Sequence, residues 1–288
     1  MILMMPSGLS KIGKSCKLAL CFLLIPAISH PHNISNFAVY YGKDSIARLS
    51  RYDLVILQSY NFTPQEIKEI KKKGTKVLFY LSIGETPVLE KGGGNGPGGY
   101  AGWYLDKNED NFPDKSLTWN TYYVNPGNKE WRRKILEEKI PALLQKGADG
   151  VFLDNLDTVE IYPTIKPGFI TLIREIREKF PQMFIVVNRG FTIVEEIAPY
   201  IDGVLFECFT THYDFLTKSY KIWEGEDLKW AEEVGKLLQK LKNKYGFIVF
   251  TLDYARKEDK GLRDYILQRA KNFGFIPYIS TLHLLEIP

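Results

Sequence analysis

Cysteine and histidine are scarce in this 288-residue chain, which contains three of the first and four of the second. Cys16 and Cys21 fall in an N-terminal segment that we expect to be removed, so the mature chain keeps only Cys208 and has no internal disulfide. The histidines are His30, His32, His212 and His283. The first two lie at the expected mature N-terminus, and the other two are not spaced as metal ligands. We therefore predict no metal, no other cofactor and no metal-dependent hydrolysis.

The motifs of nucleotide and acyl-transfer chemistry are also absent from the sequence. Glycines at 92–94, 96, 98 and 99 do not open a helix, so they do not form a phosphate-binding loop. No serine stands in a Gly-x-Ser-x-Gly elbow. These absences argue against a nucleotide or sugar-phosphate substrate and against a serine hydrolase.

The excess of positive charge belongs mainly to the first residues of the chain. There are 38 basic and 34 acidic residues, and Lys11, Lys14 and Lys17 lie in the N-terminal segment. Without these three lysines the chain has 35 basic and 34 acidic residues. A balanced chain gives no reason to predict a nucleic-acid partner, and we predict no obligate protein partner either.

Residues 1–29 are predicted to be a signal peptide. The three lysines precede an apolar run at 18–28, and Ala27 and Ser29 supply the small residues of a cleavage site. This run is shorter than the roughly 20 apolar residues of a membrane span. We expect a secreted or periplasmic protein, attached to a membrane only through its export signal, with an uncleaved anchor as the alternative.

Eight apolar runs, rich in β-branched and aromatic residues, recur after the signal peptide and predict buried parallel strands. They are residues 38–41, 54–58, 77–82, 151–153, 184–187, 204–206, 248–252 and 276–279. Helical patterns separate most of them, at 64–73, 129–145, 168–179, 194–200, 228–244 and 262–272. Strand and helix alternation with eight strands predicts one α/β domain over 30–288, a (β/α)8 TIM barrel. An open, doubly wound sheet is the alternative.

One connection in this pattern is unusually long. Residues 83–125 show no convincing regular element, although they contain a glycine-rich stretch and several aromatic residues, among them Trp103, Tyr104, Trp119, Tyr122 and Tyr123. Such a long connection usually has a function or is disordered, and disordered segments are poor in aromatics. We predict a loop that packs over the barrel mouth and lines a cleft. A loop that covers the side of the barrel is the alternative.

Two acidic residues end predicted strands in matching contexts. Asp154 follows Gly-Val-Phe-Leu, and Glu207 follows Gly-Val-Leu-Phe. In a barrel the active site lies at the carboxyl ends of the strands, and strands four and six contribute to the same layer. A facing pair of carboxyl groups suits hydrolysis of a glycosidic bond. Apolar neighbours favour the protonated, acid form of Glu207, while Asn155 and Arg189 favour an ionised Asp154. The alternative is that each acid caps a helix or forms a structural ion pair.

Other polar and aromatic residues lie at the same predicted rim and are candidates for substrate binding. They are Tyr41, Tyr60, Glu85, Trp119, Asn155, Asp157, Asn188, Arg189, Asp253 and Tyr254. Asp157 either binds sugar hydroxyls or caps the next helix, and Asp253 either binds substrate or pairs with Arg256 or Lys257. Asn188 and Arg189 either orient Asp154 or belong to a structural network. The aromatic residues either stack on sugar rings or belong to the core.

These segments together resemble glycoside hydrolase family 114, the endo-α-1,4-polygalactosaminidase-like barrels. The resemblance is carried by residues 80–85, 124–128, 131–132, 150–157, 188–190 and 206–207, and it spans nearly all of the mature chain. It implies that Asp154 is the nucleophile and that Glu207 is the acid/base. It also implies an α-1,4-linked galactosamine polymer as substrate, whose positive charge suits Glu85, Asp157 and Asp253. The glycine-rich insertion after strand three departs from the characterised enzymes.

Three functions are compatible with these patterns. We predict an endo-acting, cofactor-free hydrolase of an amino-sugar polymer. The second candidate is an exported polysaccharide-binding barrel without catalysis, which the intact acid pair disfavours. The third is a lyase or isomerase, for which the sequence shows no clear metal or lysine site.

Overall fold

The computed structural model of the chain describes residues 34–91 and 95–287. Eight strands form its main sheet: β1 (Phe37–Tyr40), β2 (Leu54–Leu57), β3 (Lys76–Ser82), β4 (Gly150–Asp154), β5 (Phe184–Asn188), β6 (Gly203–Glu207), β7 (Ile248–Tyr254) and β8 (Ile276–Ser280). Neighbouring strands are parallel and follow one another in chain order. β8 lies beside β1, where Phe37 packs on Tyr278 with ring centroids 5.6 Å apart. The predicted (β/α)8 barrel is confirmed, and the sequential order excludes the doubly wound alternative.

Alternation along the strands decides which side chains face the barrel interior. Phe152, Val186 and Leu205 belong to one buried cluster with the interior residues of β1, β7 and β8. Their neighbours along the strands, such as Val151 and Val204, belong to a second cluster that is shared with the surrounding helices. Because side chains alternate with a period of two, both faces of the sheet are apolar.

The helices that surround the sheet follow the predicted pattern with shifted ends. They are Ile46–Leu49, Pro64–Lys71, Lys129–Arg133, Ile140–Gln145, Thr158–Ile161, Lys166–Lys179, Val194–Ile197, Gly225–Tyr245 and Lys260–Asn272. A π-helical segment, Lys134–Lys139, joins the third and fourth of these. Gly246 ends the longest helix at φ 80°, a conformation that glycine adopts without steric cost. No helix in the described ranges is long and apolar enough to cross a membrane.

The connection between β3 and β4 has more structure than the sequence predicts. Three short strands, Glu85–Thr86, Thr121–Tyr123 and Lys115–Ser116, form a small antiparallel sheet. Trp103 is buried and packs on Trp131, with ring centroids 5.8 Å apart. The expectation of a connection without regular elements is therefore wrong. Its core lies on the helix side of the barrel, while the strand at Glu85 reaches the mouth. Residues 92–94 of the glycine-rich stretch lie outside the described residues.

A second insertion, between β6 and β7, is absent from our prediction. Strands Thr211–Asp214 and Ser219–Ile222 pair as an antiparallel hairpin before the long helix begins. Its tip exposes Phe215 and Leu216, at 63% and 94%. The hairpin rises from the carboxyl end of β6, so it forms part of the barrel mouth. The predicted signal peptide, residues 1–29, lies outside the described residues.

Candidate active site

Three polar residues end adjacent strands at the barrel mouth. Asp154 ends β4, Asn188 ends β5 and Glu207 ends β6. Each lies two residues after an interior apolar side chain, so all three point into the barrel. The sequence predicts this meeting of Asp154 and Glu207, and the structure brings both to one side chain between them.

That side chain is the amide of Asn188, which is 8% exposed. Its nitrogen donates one hydrogen bond to Oδ1 of Asp154 and another to Oε2 of Glu207, both at 2.9 Å. These two oxygens are therefore at most about 5.8 Å apart, and about 5 Å apart at the 120° angle between two amide N–H bonds. A retaining glycosidase holds its carboxyl groups about 5–5.5 Å apart, whereas an inverting one separates them by about 6.5–9.5 Å.

Tyrosines complete the surroundings of the pair. Tyr254 is 3% exposed, and its hydroxyl donates to Oε1 of Glu207 at 2.5 Å. Each oxygen of Glu207 thus accepts a hydrogen bond, so the expected apolar setting of this carboxyl group is wrong. The buried ring of Tyr254 also corrects its predicted role, because Tyr254 contacts the acid and has no free face for a sugar.

Tyr41 and Tyr80 lie on the other side of the pair, with their rings edge to face and centroids 5.7 Å apart. Burial raises the pKa of Tyr41 well above its usual value, and the nearby charges of Asp154 and Glu207 raise it further. Burial also raises the pKa of Tyr80, and the contact with Asp154 adds to the effect. Both phenols are therefore neutral hydrogen-bond donors at the mouth. Tyr80 is absent from our predicted site, although it has the same phase as Ser82 in β3.

The side chain of Asn155 forms hydrogen bonds within the protein. Its backbone is left-handed, at φ 64°, and its side-chain oxygen accepts from Ser82 at 2.6 Å and from Tyr80 at 3.4 Å. Gly84 passes so close that a Cβ atom there would lie 2.1 Å from the carbonyl oxygen of Asn155. The glycine in the 80–85 segment therefore allows the turn that follows β4 to pack on the end of β3.

Asp157 adds a third carboxyl group to the mouth, with a side chain that is 43% exposed. Its side chain does not cap the helix Thr158–Ile161, so that alternative is wrong. Arg189 lies 3.8 Å from Asp157. The expected proximity of this arginine to Asp154 is thus replaced by a pair with Asp157. Partial burial raises the pKa of Asp157 to about 6, with Arg189 opposing the shift and Asp154 adding to it.

Glu85 supplies a fourth acidic group from the β3–β4 connection. It is 7% exposed, and the hydroxyl of Thr121 donates to its carboxylate. Burial raises the pKa of Glu85, and the charges of Asp154 and Asp157 raise it further. These four acids therefore share one electrostatic environment, although only Asp154 and Glu207 share a hydrogen-bond donor.

Asp253 does not belong to the substrate surface. It is 0% exposed, and one carboxylate oxygen accepts from the backbone N–H groups of Thr210 and Thr211, at 2.6 and 2.8 Å. Both predicted alternatives, a substrate contact and a bridge to Arg256 or Lys257, are replaced by this internal role. Side chains alternate along a strand, and because Tyr254 points into the barrel, Asp253 points outward. Burial raises the pKa of Asp253 to about 6.

Two predicted aromatic residues remain open to solvent at the mouth. Tyr60, in the turn after β2, is 77% exposed, and Trp119, between two strands of the small sheet, is 65% exposed. Both rings have free faces, as stacking on a sugar requires. No group of three or more potential metal ligands occurs within residues 34–91 and 95–287.

A (β/α)8 barrel with two carboxyl groups close together at the strand ends is the arrangement of one class of proteins, the glycoside hydrolases. Comparison of the sequence with known families agrees, since the profile of glycoside-hydrolase family GH114 matches residues 26–287. The chain belongs to family GH114 and is a glycosidase.

The individual relatives share 15–25% sequence identity with this chain. The protein MJ1477 of Methanocaldococcus jannaschii, described as uncharacterized, is 25% identical, with 82% of this chain and 72% of that protein covered. The glycoside hydrolase domain of PelA from Pseudomonas aeruginosa has the same fold, with a TM-score of 0.71, 21% identity and coverage of 88% and 97%. Ega3 of Aspergillus fumigatus, solved with galactosamine, gives a TM-score of 0.60, 15% identity and coverage of 88% and 94%.

Proposed function

We propose that this protein is an exported, endo-acting glycosidase that cleaves an α-linked, galactosamine-containing polysaccharide with retention of configuration. The observation that carries the proposal is the pair Asp154 and Glu207, joined by one amide nitrogen, in a member of family GH114. The shared donor limits the distance between these two oxygens to at most about 5.8 Å, which supports a retaining pair over an inverting one.

Asp154 is the nucleophile and Glu207 the acid in the first step, as the family resemblance implies. Asp154 attacks the anomeric carbon while Glu207 gives its proton to the glycosidic oxygen, and the leaving chain departs with that proton. In the second step Glu207 takes a proton from water, whose oxygen attacks the anomeric carbon and releases Asp154. The hydroxyl of Tyr254 donates to the oxygen of Glu207 that does not face Asn188, and it stabilises the carboxylate that forms between the steps.

The acidic surroundings support a cationic substrate. Glu85 and Asp157 add two carboxyl groups beside the pair, with Arg189 as a cation on the far side of Asp157. A deacetylated hexosamine unit carries an ammonium group, which these carboxylates attract more strongly than a neutral sugar. Ega3, one structural relative, was solved with galactosamine. An open mouth flanked by Tyr60 and Trp119 suits binding within a long chain, and the predicted signal peptide accounts for export.

The test is incubation of the mature protein with partly deacetylated α-1,4-linked galactosamine polymer, with reducing ends and product masses measured. The wild type should release internal fragments, while Asp154→Asn and Glu207→Gln should each lose at least about a thousandfold in rate. Unaltered unfolding midpoints for the two variants show that folding is intact. A folded wild type that binds the polymer and never cleaves it would instead establish the binding-barrel alternative.

A further inference from the structure

A groove of about 670 Å³ opens on the catalytic face, and none of the predicted site residues line it. Its walls come from the hairpin between β6 and β7 and from the first turns of the helices Gly225–Tyr245 and Lys260–Asn272. All of these segments follow carboxyl ends of barrel strands. The groove therefore lies on the same face as the carboxylate pair.

Two contacts connect this groove to the neighbours of Glu207. The ring of Tyr220, on its hairpin wall, stacks against that of Tyr254, with centroids 6.4 Å apart and planes at 19°. Tyr254 in turn donates to Glu207. The indole N–H of Trp223 donates to the carbonyl oxygen of Cys208 at 2.7 Å, one residue after Glu207. The groove and the active site thus share one wall.

The aromatic groups of the groove are fixed in position before any ligand arrives. His212 stacks on Trp223 with centroids 3.9 Å apart and planes at 17°, while the hydrogen bond to Cys208 fixes the edge of the indole. On the opposite wall Tyr265 is 44% exposed. The C–H face of a pyranose ring is apolar and weakly positive, so it packs on the negative face of an aromatic ring. A rigid aromatic wall also binds at low entropic cost.

The charge of the groove favours a cation. Glu224 and Asp227 are exposed and form no ion pair within the described part of the chain, whereas Lys221 is paired with Asp214 at 2.5 Å. Asp259, at the start of the helix Lys260–Asn272, adds a further carboxylate to the lining of the groove. The two helix ends contribute roughly half a positive charge each, so the three carboxylates leave the groove negative.

We propose that this groove is a distal substrate subsite, which binds a further hexosamine unit of the polysaccharide chain whose scissile bond lies between Asp154 and Glu207. The inference rests on the proposed function. Tyr265 packs on the sugar ring, and Glu224 and Asp227 attract its ammonium group. Such a subsite makes binding depend on chain length and places the cut inside the polymer.

The test measures calorimetric binding of a short and a long α-1,4-galactosamine oligomer to the full chain carrying Glu207→Gln. Adding Tyr265→Ala should weaken binding of the long oligomer about tenfold and leave the short one unchanged, because one stacking contact contributes about 1–1.5 kcal/mol. Tyr265→Phe keeps the ring and should stay within about twofold. Glu224→Gln with Asp227→Asn should weaken the long oligomer several-fold at low salt, with a smaller loss at high salt. Glu233→Gln, exposed further along the same helix, is the matched control.

Equal binding of the long oligomer by the Tyr265→Ala protein and its parent overturns the subsite. If the wild type cleaves the polymer in that case, the proposed function stands alone. If the parent binds neither oligomer and the wild type cleaves none, the proposed function and the subsite fail together. Loss of long-oligomer binding in Tyr265→Ala together with an unchanged unfolding midpoint supports the subsite.

Discussion

The amide of Asn188 should be required for catalysis although it takes no part in bond breaking. Asn188→Ala removes both hydrogen bonds to the carboxylate pair. Hydrogen bonds to charged groups contribute about 1.5–3 kcal/mol each. Water entering the gap recovers part of this loss, so we expect kcat to fall about a hundredfold, or about 2.7 kcal/mol.

The assay measures kcat and KM on the galactosamine polymer, with the unfolding midpoint as the control for folding. Because the amide contacts both reacting carboxyl groups, Asn188→Ala should lower kcat and leave KM nearly unchanged. A merely structural loss would lower the unfolding midpoint without this selective loss of kcat. A variant with the wild-type kcat refutes the role of the amide bridge.

Three further predictions follow from the surrounding residues. The pKa of Asp157 is about 6, so its carboxylate forms as pH rises through about 6, and KM of the wild type for a deacetylated polymer should fall over that range. Asp157→Asn should lack this fall in KM. A fall that persists in the variant contradicts the role of Asp157 in binding the substrate. For Asp253, the folded pKa of about 6 exceeds the ordinary 3.8, so the native state binds the proton more tightly. Stability should therefore decrease by about 3 kcal/mol in all as pH rises from below about 4 to above about 6. Asp253→Asn should flatten that decrease in urea unfolding, and an unchanged slope would show that another group is responsible. Gly84→Ala should reduce the free energy of unfolding by about 2–3 kcal/mol, since its Cβ meets the carbonyl of Asn155 at 2.1 Å, and a neutral result in urea unfolding would mean that the turn relaxes freely.

The barrel could be predicted because its strands are apolar on both faces and its helices are not. The run that ends at Asp154 and the run that ends at Glu207 each finish with one acid, and the barrel rule places both at the mouth. Their meeting thus follows from sequence and fold class. The shared hydrogen-bond donor could not be predicted in this way. Whether Asn188 reaches both carboxylates depends on the tilt and register of the strands, which the sequence does not give.

Phase along β7 explains the error at Asp253. Adjacent residues of a strand face opposite sides, so Asp253 and Tyr254 cannot both line the mouth. Leu252 is in the interior cluster, and Tyr254 shares its phase. This signal is present in the sequence, and it assigns the outward position to Asp253.

The partner of Arg189 and the hairpin after β6 had weaker signals. Arg189 has φ 54°, and this left-handed backbone turns its side chain toward Asp157, a conformation that the sequence does not announce for a non-glycine residue. The hairpin strands are only four residues long, and buried and exposed side chains do not alternate along them. Short edge elements of this kind depend on tertiary contacts, here the stacking of His212 on Trp223.

The central claim is that Asp154 and Glu207, held close together by Asn188, cleave an α-linked galactosamine chain in two steps. The most direct test is proton NMR of the first-formed reducing end, recorded before the anomers equilibrate. The account predicts that the α anomer appears first, because two inversions at the anomeric carbon restore its configuration. Initial appearance of the β anomer would show a single displacement by water, and it would contradict both the role of Asp154 as nucleophile and the inference drawn from the spacing of the pair.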